Sequence, residues 1–214
     1  MAPNSRQVFV NCPYDSNFYP MVEAIAFAIC VCGYTPRFAG ESIDSGQSRL
    51  SKIIGLIDEC PFSLHDISRT EVTATGLPRF NMPFELGLAL GRKYSFERGG
   101  APGVLIFDRE PYRYHESISD LSGCDPRAHR DDPLTAIQRI REWLPLSEQG
   151  ATAAQLRVPL YGPIVLVRWF SRYRDYVQDM KRRLKVDRED LPFADLVTSI
   201  RDWLEVNTRM QSED

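Results

Sequence analysis

The sequence predicts an α/β protein built on a parallel, doubly wound sheet, followed by a C-terminal helical extension. Three observations carry this. Short apolar runs of strand type alternate with helical runs through the first two thirds of the chain, with short links between them. Beyond residue 155 the pattern is helical only. The chain has 214 residues, 43% hydrophobic and 26% charged, which suits one domain of about 150 residues with an addition.

Residues 7–10 read as a short buried strand, stopped by Asn11-Cys12-Pro13. Asp15 or Ser16 can cap the next helix, with Pro20 tolerated in its first turn. That helix runs through Met21, Val22, Ile25, Ala26 and Ile29 to about Gly33. It is apolar nearly all round, so it should be well covered. Residues 34–39 form a weaker second strand. Residues 44–60 form an amphipathic helix whose Leu50, Ile53, Ile54 and Ile57 share one face. Residues 62–67 make a third strand, and a turn-rich segment through Gly76 and Pro78 leads to a helix over 83–93. Residues 103–107 make a fourth strand. The segment 110–130 is long and irregular, with a short strand near Arg127. Leu134, Ile137, Ile140 and Leu144 line a helix that Pro145 should end.

Residues 147–155 are small and polar and mark the expected boundary, giving a sheet domain over 1–146 and a helical extension over 156–214. In the extension, Leu166, Trp169, Phe170, Tyr173, Val177, Met180 and Leu184 form a stripe over 164–185. Leu196, Ile200, Trp203 and Leu204 form another after Leu191-Pro192. These helices are too few for a robust core alone, so they should pack on the sheet domain or on a second subunit. Their basic residues, among them Arg168, Arg172, Lys181 and Arg182, read first as a solvated face and second as a self-association surface.

The net charge is −3, which disfavours nucleic acid as a partner. No apolar run approaches a membrane span, and the N-terminus carries no signal pattern. The five cysteines are odd in number and lack C-x-x-C spacing, which fits free thiols in a reducing cytoplasm. His65, His115 and His129 lack metal-site spacing, so no metal is expected. P-loop, G-x-G-x-x-G and G-x-S-x-G motifs are absent.

Ligands of open parallel sheets bind outside the carboxyl ends of the strands. Here those ends are Asn11-Cys12-Pro13-Tyr14-Asp15, the segment 37–41, His65-Asp66-Ile67-Ser68, and Asp108-Arg109. The helix after the third strand opens Asn81-Met82-Pro83-Phe84-Glu85-Leu86-Gly87, so Asn81 and Glu85 can face the same edge, and Gly87 would allow a close approach. A glutamate there has two readings: stabilising the amides and dipole of the first helical turn, or catalysis. Asp66 could equally bond the following loop. His65 reads as a packed histidine before a general base, and Asp108 with Arg109 as an exposed pair.

These segments resemble bacterial TIR-like proteins and the related nucleoside 2-deoxyribosyltransferase-like folds. The resemblance rests on the Phe9-Val10-Asn11-Cys12-Pro13-Tyr14 loop, on Leu64-His65-Asp66-Ile67-Ser68, and above all on Asn81-Met82-Pro83-Phe84-Glu85-Leu86-Gly87-Leu88-Ala89. It covers roughly residues 7–144. It implies a flavodoxin-like sheet holding a nucleoside or NAD, the latter as substrate rather than cofactor. Glu85 would act at the anomeric carbon as nucleophile or as stabiliser of an oxocarbenium ion. Asp66 and Ser68 at the third strand end would hold base or sugar. Asn11 and Tyr14 would line the ligand, with Asn81 and Phe84 beside the carboxylate. The resemblance further implies antiphage defence by NAD cleavage, a homo-oligomer whose subunits complete each other's sites, and a defence-system partner protein. Alternatives are a deoxyribosyltransferase-like enzyme and a non-enzymatic interaction or nucleotide-sensing module. Asn-Cys-Pro-Tyr after the first strand and Arg79-Phe80-Asn81 before the glutamate depart from the two family patterns and leave the substrate open.

Overall fold

A computed structural model describes residues 6–41, 44–71, 76, 78–95, 103–147, 162–186 and 191–209. Most of the expected boundary segment 147–155 lies outside them. The strands are β1 (Gln7–Asn11), β2 (Thr35–Phe38), β3 (Phe62–Asp66), β4 (Gly103–Asp108) and β5 (Arg127–Ala128). The helices are α1 (Tyr19–Val31), α2 (Arg49–Glu59), α3 (Asn81–Ser95), α4 (Pro133–Ser147), α5 (Pro163–Leu184) and α6 (Phe193–Arg209).

The strands form one parallel sheet in the order β2-β1-β3-β4-β5. Val8 pairs with Phe62 and Asn11 with His65; Asp66 pairs with Phe107, and Asp108 with Ala128. That order, with its reversal between β1 and β3, makes this a flavodoxin-like α/β fold with the expected C-terminal helices.

The chain divides into two compact units that interleave in sequence. One holds the chain up to Asp15 together with Arg37–Asp132. There Phe9, Ala39, Ile53, Leu56, Ile57, Cys60 and Ala89 bury one another between strands, α2 and α3. A second cluster, Ile67, Leu86, Ile106, Tyr114 and Leu121, joins β3, β4 and α3 to the two short 3-10 turns at Arg113–Glu116 and Ser119–Gly123.

The other unit holds Ser16–Pro36 and the chain from Pro133 onward, so α1 and α4 group with α5 and α6 as a helical cluster. Its centre is aromatic. Phe27 is fully buried with its ring 5.3 Å from those of Phe170 and Tyr173 and 5.9 Å from Trp203. Tyr173 is a buried phenol 3.0 Å from the Ser199 hydroxyl, which donates to the Leu196 carbonyl. Tyr173→Phe should cost about 1 kcal/mol, the usual value of one buried hydrogen bond, read as a lower denaturation midpoint at unchanged slope. No loss would mean the phenol contributes packing alone.

Several local expectations are corrected. A 3-10 turn, Ser16–Phe18, takes the place expected for a capped start, and Phe18 precedes α1 without a side-chain cap. At its other end α1 closes as expected on Gly33, whose φ of 80° suits glycine. Tyr34 N–H bonds the Ile29 carbonyl and Gly33 N–H the Cys30 carbonyl, a Schellman closure. In α2 the buried face is Ile53, Leu56 and Ile57, while Leu50 and Ile54 lie exposed. Pro145 does not end α4, which continues to Ser147; in a last turn proline removes only one backbone donor. Leu184, expected in the α5 stripe, is exposed at the helix end. Among the described residues no helix is long and apolar enough to cross a membrane.

Candidate active site at the strand ends

The site lies within the sheet-bearing unit, where β1, β3, β4 and β5 end beside the start of α3. Every feature follows from register: Asn11 ends β1, Asp66 ends β3 and Asp108 ends β4.

Asn11 is buried and ties two elements together. Its Nδ2 donates to the Met82 carbonyl at 3.1 Å and lies 3.0 Å from His65 Nδ1. Because the amide donates, His65 Nδ1 accepts, and the ring proton sits on Nε2. That Nε2 is sealed from solvent with no hydrogen-bond partner among the described residues. Burial pulls the His65 pKa down to about 3, so the imidazole is neutral. As an imidazolium acid it has no place in the chemistry.

Glu85 sits on the second turn of α3. The helix starts at Asn81 rather than Pro83, which moves Glu85 inward by two positions and leaves no acidic residue in the first turn. The capping reading therefore does not hold. Glu85 is 4% exposed and makes no hydrogen bond within the described chain; its one ion contact is Arg49 Nη2, 3.8 Å from Oε1. Burial raises its pKa and Arg49 opposes the rise. A buried, unbonded carboxylate beside a single cation is costly to hold and is the kind of group that chemistry requires.

Around it stand residues of mixed character. Tyr14 is 37% exposed, yet its hydroxyl turns inward and lies 3.4 Å from the Val10 carbonyl. Burial, then Cys12 and Glu85, push its pKa up, with Arg49 opposing. Phe84, next to the carboxylate in sequence, is 56% exposed. Asn81 is exposed at the helix start. Gly87 is exposed as well, and among the described residues no atom lies within 4 Å of the place its Cβ would take, so no other backbone approaches it closely.

Cys12 is fully buried. Burial, then Asp66, Glu85 and Asp15, raise its pKa well above that of a free thiol, so it is no nucleophile. All five cysteines are free, and only Cys124 is partly exposed. Alkylation of the native protein should modify Cys124 first and leave Cys12 unlabelled, as mapped by peptide mass. Early labelling of Cys12 would show an open thiol.

Asp66 and Ser68 are both buried and bonded to each other: Asp66 Oδ1 accepts from the Ser68 amide at 2.9 Å and the Ser68 hydroxyl at 2.5 Å. Asp66 Oδ2 lies 3.1 Å from His129 Nε2. His129 Nδ1 accepts the Asp131 amide at 3.0 Å, which puts the His129 proton on Nε2, close to Asp66 Oδ2 but outside hydrogen-bond geometry with it. Asp108 is buried too, and its partner is Arg113, not the Arg109 side chain. Arg113 Nε and Nη2 reach Oδ1 at 2.8 and 2.6 Å, and Nη2 also reaches the Ile67 carbonyl at 2.9 Å. Burial raises the Asp108 pKa against the pull of Arg113. Arg109 instead pairs with Glu71.

The edge thus has two parts. Asn11, Cys12, Tyr14, His65 and Glu85 gather at β1, β3 and α3, while Asp66, Ser68, Asp108, Arg113 and His129 form a bonded floor at β3, β4 and β5. The sequence reading missed His129, Arg113 and Arg49. His129 was within reach, since it directly follows the short strand expected near Arg127 and so ends a fifth strand. No group of three potential metal ligands occurs among the described residues.

Fold and edge define a flavodoxin-like α/β protein with a carboxylate-bearing strand-end site. Compared with family models, curated proteins and solved structures, the chain finds no significant match.

Proposed function

We propose that this chain is a nucleotide N-glycosidase that cleaves the nicotinamide–ribose bond of NAD or a related nucleotide, with Glu85 as the catalytic carboxylate. One observation supports it above others: Glu85 is nine-tenths buried at the carboxyl edge of a parallel sheet, without a hydrogen bond among the described residues, with its pKa raised.

The chemistry suits such a group. Breaking the C1′–N bond sends the bonding pair to the pyridinium nitrogen, so nicotinamide leaves neutral and needs no proton. Positive charge develops on C1′ and the ring oxygen. A fixed carboxylate in a poorly solvated recess stabilises that charge more than it would in water. Water then adds to C1′ and its proton passes to solvent. Neutral His65 is consistent with a reaction that needs no acid. Tyr14 and Phe84 supply apolar walls that shield the bond. The defence setting and its partner protein belong to this reading through the sequence resemblance alone.

Incubating concentrated protein with NAD, NADP and nucleosides, with products identified by mass, tests the proposal. The expected products are nicotinamide and an ADP-ribose. Absence of any product, with a melting temperature raised by nucleotide, would reassign the site to binding alone.

A further inference from the structure

Among the described residues, the only charged group in ion contact with Glu85 belongs to another element. Arg49 is the first residue of α2, which follows the β2 end, and it is 55% exposed while Glu85 is buried. At 3.8 Å the pair is loose: no hydrogen bond links the two, and the guanidinium keeps its donors available to a ligand. The first turn of α2 adds to this positive end. It holds no acidic residue, and Ser48 makes no side-chain cap, so its leading amides are not satisfied by a side chain. Glu85 is the independent sign of a ligand here, a polar side chain more than nine-tenths buried with no hydrogen bond among the described residues.

A carboxylate and a guanidinium side by side, one sunk and one open, complement a molecule with developing positive charge at one point and fixed negative charge at a neighbouring one. A ribose 5′-phosphate has that pattern: its anomeric carbon and the carbon bearing its phosphate arm flank the same ring oxygen. Arginine matches phosphate oxygens with two parallel donors. From this juxtaposition we infer that Arg49, with the start of α2, binds the 5′-phosphate of the substrate, so that the site selects nucleotides over nucleosides. This inference rests on reading Glu85 as the carboxylate at the sugar.

The test compares nicotinamide mononucleotide with nicotinamide riboside, which differ only in that phosphate. Binding is measured by calorimetry and nicotinamide release by mass, for the parent protein, Arg49→Gln and Arg49→Lys. The parent should prefer the mononucleotide at least tenfold in both readouts. In Arg49→Gln that ratio should fall about tenfold, and Arg49→Lys, a point charge without the fork, should keep part of it. An unaltered ratio in Arg49→Gln, or equal loss on both compounds, overturns the phosphate role and assigns Arg49 to Glu85 alone. Arg49-dependent preference in binding without release from either compound keeps the phosphate site and overturns the glycosidase. Release with an Arg49-independent ratio does the reverse, and binding of neither compound overturns both.

Discussion

Glu85→Gln should lower nicotinamide release by about 10²–10³-fold or more, the scale of losing one preorganised electrostatic contact to a transition state, while the protein melts no lower than its parent. The second half distinguishes a catalytic carboxylate from a structural one. Burial raises the Glu85 pKa, with Arg49 opposing. A carboxyl with a raised pKa binds its proton more tightly in the folded state than in the unfolded one. Its contribution to stability is complete below the ordinary carboxylate range and is lost as pH rises through the raised value. At neutral pH the ionised side chain therefore weighs against folding, and glutamine relieves that. The variant should melt at or above the parent at pH 7, and the difference should close on acidification.

Activity runs the other way. The reaction needs the carboxylate, so the parent's kcat should fall on acidification at a higher pH than a surface glutamate would give. Calorimetric melting and a pH series of nicotinamide release check both arms. A variant that melts well below its parent would mark Glu85 as structural. A variant with full rate would remove it from the chemistry.

The sheet was legible because β1, β3 and β4 are buried runs bounded by Pro and Asn, and because even the two-residue β5 stood out within an irregular stretch. Helix starts were harder to place. Propensity cannot separate Asn81 from Pro83 as the first residue of α3, yet that choice decides whether Glu85 caps the helix or faces inward. In α2, spacing puts Leu50, Ile53, Ile54 and Ile57 on one side, but the side that is covered is Ile53, Leu56 and Ile57, which only the neighbouring elements decide. The grouping of α1 and α4 with α5 and α6 was hidden for a different reason. A helix that is apolar all round, as α1 is, shows that it is covered and not by what. Pairings such as Asp108 with Arg113 and Glu85 with Arg49 join groups that sequence pattern alone does not bring together.

The floor beneath the site gives the largest expected effect on stability. His129→Ala should cost about 1–3 kcal/mol, the range for leaving buried polar groups without their partner. Two supports disappear at once. Asp66 Oδ2 loses its 3.1 Å contact with His129 Nε2, inside a residue with no exposure. The Asp131 amide loses its acceptor, Nδ1. That second loss matters because Arg130 and Asp131 both adopt left-handed backbone, with φ of 57° and 54°. Consecutive non-glycine residues there are each disfavoured by about 1–2 kcal/mol, so the turn depends on contacts that hold it. The His129 ring is one, and the bonds from the His129 amide to Asp108 and from the Arg130 amide to Arg109 are others. Urea denaturation of the parent, His129→Ala, Asp66→Asn and the double variant measures the coupling. The two single losses should exceed the double loss by at least about 1 kcal/mol, because both changes disturb the same buried contact. Additive losses, or less than about 1 kcal/mol for His129→Ala, would mean that Ser68 alone holds Asp66 in place.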